Sequence, residues 1–412
     1  MSSDSTIPVG QPLKGGRQDN RGGQQRNPLS RLWNDKQTRS VIIQIVAMVL
    51  IFAFFSYMIR NAIVNLEAIG KGFSFSFLEQ PASYDINQHL IEYSSRSSHF
   101  RAMIVGVINT LLVAAAGIVL ATVLGFILGV LRLSKNWLTN KLAHVYIEYI
   151  RNVPVLLHIL LMHGIMVHSL PKPKQATNIG DAAFLTNRGL FMPKPDPEPL
   201  FWIVAALFVI GVLFTYFFRR YAKRVQEATG KIYPVFWIGL LVILVIPIAA
   251  FFLIGSPVAW EYPALKGFNF RGGMVIKPEF IALWLALSFY TAAFIGEIVR
   301  AGIMAISHGQ TEASLALGLP RSRTLKLVVI PQALRVIVPP LASQYLNITK
   351  NSSLAIAIGY MDITATIGGI SLNQTGREME CMILVMALYL SFSLLISMFM
   401  NWYNNSIKLV ER

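Results

Sequence analysis

Long apolar stretches alternate with polar ones along this chain, and the lengths of the apolar stretches set the expected architecture. A helix crossing a bilayer needs about 20 residues. Eight stretches approach that length: 41–59, 103–131, 153–168, 201–218, 235–254, 280–299, 325–348 and 381–400. Each reads as a spanning helix, because hydrocarbon leaves no other partner for an open backbone. The third is short and carries three histidines in "VLLHILLMHGIMVH". The seventh contains Pro331 and the pair Pro339–Pro340, and is expected to be broken by them. Residues 1–39 are polar, rich in Gly, Gln, Asn and Arg, and read as a disordered tail. The first apolar run has no small-residue cleavage site after it, so it reads as an uncleaved span.

Composition agrees with this pattern. Of 412 residues, 54% are hydrophobic and 14% charged, against about 25% charged in a soluble domain. The fold expected is an all-α integral membrane protein of about eight transmembrane helices. A net charge of +16 suggests nucleic acid at first sight. Mapped onto the spans, it has another meaning. With the N-terminus in the cytoplasm, 22 Lys and Arg fall in inner segments and 13 in outer ones, with Arg335 inside a span. Inner loops carry that excess in multi-pass proteins. Both termini are therefore expected to be cytoplasmic, with no nucleic-acid partner. The basic stretch "RRYAKRVQEATGK", residues 219–231, suits anionic lipid.

Several chemistries have no residues to carry them. The single cysteine, Cys381, excludes an intrachain disulfide framework and a Cys-rich metal site, and reads as a small packed hydrophobe. The pairs Gly70–Lys71 and Gly230–Lys231 are followed by Gly and Ile, not by the Ser or Thr of a phosphate loop. No HExxH or GxSxG motif occurs. His158, His163 and His168 are five apart, so they do not share a helix face. No catalytic residue, metal or cofactor is expected, and any ATP must be bound by another chain.

One charged, glycine-broken stretch lies on the inner side by the charge map: "HGQTEASLALGLPRSRTLKLVVIPQALRV", residues 308–336. Thr311 suits an N-cap, with Glu312 in the first turn. Gly318 suits the C′ position, and Pro320 cannot continue the helix. The expected product is a two-turn helix lying across the inner ends of the bundle. Ala313, Ser314 and Ala316 give it a small face for close approach, with Glu312, Arg321 and Arg323 as a polar rim.

The spacing here is specific. Glu312-Ala313-Ser314, three residues, Gly318, nine residues and Val328-Val329-Ile330-Pro331 closely resemble the EAA loop of permease subunits of bacterial ABC importers. Ser314, Val328 and Ile330 depart conservatively from that pattern. The segments 106–134, 146–163, 289–314 and 332–359 are similar to the polar amino-acid permease branch. The interrupted layout looks most like the general L-amino-acid importers. The resemblance implies a type I ABC importer transmembrane domain over 102–405, with core segments 102–168 and 278–405. It also implies an insert, 169–277, with two extra spans, after a first helix at 41–59 and a periplasmic segment at 60–101. The loop 308–324 would be the coupling loop, with Glu312, Ala313, Ser314, Gly318, Leu319, Pro320 and Pro331 acting on a separate ATPase. The implied partners are ABC ATPase subunits, a second permease chain or a second copy of this one, a periplasmic amino-acid-binding protein, and membrane lipid. The implied location is the bacterial inner membrane.

Other constellations are weaker. Ala121, Gly125 and Gly129 are spaced for close helix packing, within the chain or at a subunit interface. Glu297 is an intramembrane carboxylate, either a path residue or an i, i+3 partner of Arg300. Asn347, Lys350, Asn351, Ser352 and Ser353 follow the proline-bearing span, and either line a path cavity or form a polar turn facing outer water. Arg151 and Pro154 read as a turn leading into the membrane. The alternative function is an ion-coupled secondary amino-acid transporter, which would leave the EAA-like spacing unexplained.

Overall fold

The computed structural model describes residues 36–407 apart from 69, 71 and 181. Residues 1–35 of the expected disordered tail, Lys71, and the C-terminal Lys408 and Arg412 of the charge map lie outside the described residues. Lys36–Arg39, assigned above to the tail, are already helical. The chain divides into two units, 1–73 and 74–412, each described by itself.

In the first unit, α1 (Lys36–Ala68) is a 33-residue helix. At 1.5 Å per residue it extends roughly 50 Å, and its long apolar side chains stand exposed. In the second unit the principal helices are α2 (His99–Leu131), α3 (Trp137–Asn152), α4 (Val155–His168), α5 (Phe201–Thr229), α6 (Val235–Leu253), α7 (Pro278–Met304), α8 (His308–Ala316), α9 (Arg321–Ile358) and α10 (Glu378–Ile407). Among the described residues seven helices are long and apolar enough to cross a membrane, or eight if the bent pair α3–α4 is one span.

Two expectations are corrected. The third span is not 153–168 alone. Only α3 and α4 taken together are long and apolar enough, as a pair bent by 106° across Val153–Pro154. The 14 residues of α4 rise only about 21 Å, short of the roughly 30 Å of hydrocarbon. α3 buries Ala143, Ile147 and Ile150, the last two packing with Leu128 and Ala293. Nor is the seventh span broken at its prolines. A π-helical turn at Leu325–Val329 precedes Pro331, and the α-helical stretch Ile330–Asn351 continues through Pro339 and Pro340. Prolines are tolerated there because neighbouring helices and local π adjustments satisfy the freed backbone. The helix tightens to 3₁₀ over Ser352–Ile358 and stops at Gly359, φ +77°.

The core is built on α2 and α7. Their small residues let the backbones approach closely. A Cβ at Gly129 would stand 2.6 Å from Val299 and 2.8 Å from the Gly296 carbonyl, and one at Gly296 would stand 3.0 Å from Leu128. Gly117 lies near Ser288, Gly125 at Ala292 and Ile295, and Gly129 at Gly296 and Val299, so the two helices run parallel. The small-residue stripe therefore packs within the chain. α9 runs antiparallel to α7, with Gly302 against Ile337 and Gly117 against Ile348. Leu283, Leu287, Ile295 and Ile337 fill the centre.

The helical class carries one addition, which the sequence reading did not anticipate. The strands β1 (Thr177–Ile179), β2 (Ala183–Thr186), β3 (Gly189–Met192), β4 (Lys194–Pro197), β5 (Val258–Glu261), β6 (Ala264–Lys266), β7 (Asn269–Arg271) and β8 (Met274–Ile276) flank the α5–α6 hairpin. The sheet order is β1-β2-β3-β8, with β4 paired to β5 and β6 to β7, all antiparallel. The β3–β8 and β4–β5 pairs tie both flanks of the hairpin together, and Phe270 stacks on Phe184 at 4.5 Å and lies tilted against Phe191 at 5.1 Å. Residues 74–98 also fold onto the bundle. Ala82, Tyr84 and Ile86 pack against Ala102 and Val105, and Ser98 caps α2 by accepting from the Arg101 amide.

Candidate coupling site and membrane path

α8 starts earlier than expected. Its N-cap is Ser307, whose side chain accepts from the Gly309 amide; Thr311 is inside the helix, and Glu312 lies beyond the first turn. Its C-terminal end matches the expectation. Gly318 takes φ +78°. The Leu319 amide donates to the Ser314 carbonyl at 3.2 Å, and the Gly318 amide to the Leu315 carbonyl at 2.9 Å. This pair of bonds is the Schellman motif, which glycine suits because the left-handed backbone costs it little. Pro320 then begins the next helical segment, its carbonyl accepting from the Arg323 and Thr324 amides at 2.9 and 3.0 Å.

Ser314 turns inward. Its hydroxyl is buried, donates to the Thr311 carbonyl at 2.9 Å and lies in hydrogen-bond contact with Thr324 Oγ1 at 3.2 Å. It fastens α8 to the start of α9, and does not present itself outward with Ala313. Gln332 Nε2 adds a bond to Gln310 Oε1 at 3.2 Å. Glu312, Ala313 and Ala316 are exposed, and Leu317 is 83% exposed. Leu319 is half-buried and Pro320 exposed at the corner. Pro331 follows the π turn of α9. The short helix is thus rigidly joined to a spanning helix while its apolar tip stays open.

The path candidates do not converge. Glu297 pairs with Arg300, as the i, i+3 spacing allows, at 2.9 Å from Nε with a second bond from the other guanidinium arm. It lines a cavity of about 230 Å³ with Arg151, Phe294 and Gln344. Arg151 lies over the Phe294 ring at 5.5 Å, so it does more than lead the chain into the membrane. Asn347 and Lys350 are exposed on α9. Asn351 and Ser353 are half-buried, and Ser352 is buried and donates to the Thr349 carbonyl at 2.8 Å. Of the three histidines, His158 is buried between Tyr149 and Tyr290.

A buried polar junction beside these residues was not read from the sequence. Asp362, fully buried between α9 and α10, accepts from the Ala365 amide at 2.9 Å and from the Tyr389 hydroxyl at 2.9 Å. Tyr389 also reaches Thr364 at 3.2 Å and Ser352 at 3.5 Å. Burial pushes the Asp362 carboxyl up to about 6, against the lowering effect of these bonds. A lone acid in "AIAIGYMDITATIGG" was the available signal.

A bundle of apolar helices long enough to span, with a short helix fastened at one end, is the architecture of a multi-pass membrane protein. Comparison with known proteins makes this specific. Residues 228–409 match the model of the binding-protein-dependent transport system inner membrane component. The chain is 46% identical over 386 residues to the putative amino-acid ABC transporter permease protein YhdX of Escherichia coli K12, covering 94% of this chain and 96% of that one. It is 45% identical over 378 residues to the general L-amino acid transport system permease protein AapQ of Rhizobium johnstonii, covering 92% and 94%. It is 50% identical over 415 residues to the glutamate/glutamine/aspartate/asparagine transport system permease protein BztB of Rhodobacter capsulatus, covering 93% and 97%. The chain belongs to the amino-acid ABC transporter permease family. It is a multi-pass inner-membrane transport subunit and not an enzyme, and ATPase and other ABC subunits are its partners. The ion-coupled alternative is set aside.

Proposed function

We propose that this subunit forms one half of the translocation path of an importer for L-amino acids, and that α8 is its docking helix for the ATPase. The observation that carries the reading is the tip of α8. Leu317 stands 83% exposed beside Ala313 and Ala316, on a helix locked to α9 through Ser314 and Thr324. Free apolar side chains on a rigid mount suit an interface core, with Glu312 and Arg323 as its polar rim, while Arg321 lines the groove behind the helix. Both termini are cytoplasmic in this reading. The sheets beside α5 and α6 and the segment 74–98 face the periplasm, where a binding protein delivers substrate, and the basic end of α5 meets anionic lipid. Residues 102–168 and 278–405 form the transporter core around the insert 169–277. Glu297 on α7 and Asn347, Lys350, Asn351, Ser352 and Ser353 on α9 are the path residues in this reading, set at separate points along it, with Tyr389 joining Ser352 to Asp362. The relatives named for general L-amino acids and for glutamate, glutamine, aspartate and asparagine support an amino-acid cargo.

Cysteine cross-linking of the assembled importer tests the docking face. Ala313→Cys or Leu317→Cys should cross-link to the ATPase, and Ser314→Cys should not, because its side chain points into the permease. Cross-linking from Arg224→Cys in the 219–231 stretch, with none from α8, would put the interface on the other inner loop.

A further inference from the structure

Behind α8 lies a groove of about 770 Å³, bounded by the ends of α2 and α7, by α8 and by the start of α9. Its floor is apolar, made by Leu133, Ile303, Leu315, Leu325 and Val329. Its rim carries Lys135, His308 and Arg321, and its lining holds no carboxylate. His308, Thr311 and Leu315 sit at i, i+3 and i+7 on α8, so they form one face, and Ala313, Ala316 and Leu317 project on the other side. The groove is therefore distinct from the docking tip.

We infer that this groove binds one anionic phospholipid of the inner leaflet, with the phosphate between Lys135 and Arg321 and an acyl chain along Leu133, Ile303 and Leu325. The inference rests on the orientation proposed above, which puts this end of the bundle at the cytoplasmic surface. Three features select this occupant. The floor is continuous with the ends of two spanning helices, where acyl chains are at hand. Lys135 and Arg321 put positive charge on the rim and no carboxylate lines the groove, which suits an anionic headgroup better than a zwitterionic one. The groove wall includes the π turn at Leu325–Val329, so a bound lipid would brace the joint that carries α8.

The test uses the assembled importer purified in detergent, with phosphatidylglycerol and phosphatidylcholine added as probes and retained lipid counted by native mass spectrometry. Phosphatidylglycerol should be retained and phosphatidylcholine should not. The double variant Lys135→Gln, Arg321→Gln should lower phosphatidylglycerol retention about thirtyfold, from the usual contribution of each basic side chain. The control pair Lys194→Gln, Lys266→Gln, on β4 and β6, should leave phosphatidylglycerol retention unchanged. Both targeted side chains are exposed, so folding is not at stake. Equal retention of the two lipids, or equal loss in the control pair, overturns the proposal. So does a cross-link from Leu315→Cys to the ATPase in place of lipid retention, since that outcome would make the groove part of a protein interface. Terminal reporter fusions fail separately if the orientation is wrong, whereas lipid retention reads the groove itself.

Discussion

At the scale of single residues, Gly318 and Asp362 are constrained for different reasons. A Cβ at Gly318 would meet nothing within 4 Å, yet φ is +78°. Its constraint is backbone strain, not space. Gly318→Val should cost about 1–2 kcal/mol and swing α8 on α9, so amino-acid uptake should fall while the membrane level of the protein persists. Gly318→Asn should restore much of that uptake, because Asn tolerates the left-handed region; equal loss in both variants would point to contact instead of strain. For Asp362 the sign follows from a carboxyl raised from 3.8 to about 6 by burial. The folded chain binds its proton more tightly than the unfolded chain. Stability should therefore fall as pH rises through roughly 4 to 6 and level off above. Asp362→Asn keeps a capping oxygen and should remove that slope from melting curves of the detergent-solubilised protein. A slope that survives the substitution assigns it elsewhere.

At the scale of elements, α2 and α7 approach closely through small residues at the core. Gly129→Ala forces a methyl against Val299 and the Gly296 carbonyl, and overpacking of this kind costs about 1–3 kcal/mol. Gly164→Ala on α4 meets nothing within 4 Å and should be neutral or slightly stabilising, since alanine is the better helix former. Thermal melting of the two variants separates a packing role from mere helix propensity. The spacing of Ala121, Gly125 and Gly129 was legible in the sequence, but its partner was not, because small residues fit any close backbone. The same limit applies to α8. Ser307 and Thr311 are both good cap types, and in the structure the cap is Ser307, which accepts from the Gly309 amide. Gly318 and Pro320 were legible because their backbone demands are local. The strands were not, since three or four residues show no period, and the two pairings that hold the flanks together join segments more than 60 residues apart, as Pro195 with Trp260.

At the scale of the whole molecule, the direction of helices decides a question that length alone left open. α4 is too short to span by itself, so residues 137–168 either cross the membrane as a bent pair or dip in and return. α2 and α7 run parallel, and the same end of each therefore faces the same side. An odd number of crossings must separate Leu131 from Pro278. α5 and α6 supply two, so the bent pair must supply the third. The pairing of β3 with β8 agrees, because it holds the two flanks of the α5–α6 hairpin on one side. The prediction is a labelling pattern in intact cells with a membrane-impermeant maleimide. Lys172→Cys, just beyond α4, should label from outside. Arg224→Cys, at the far end of α5, should label only after the inner membrane is opened. Both positions are exposed, and the natural Cys381 is buried and should stay silent in the parent. If Lys172→Cys is protected in intact cells and Arg224→Cys is not, the bundle is inverted; if both are protected or both label from outside, the bent pair does not cross, and the parallel contact of α2 with α7 must be abandoned.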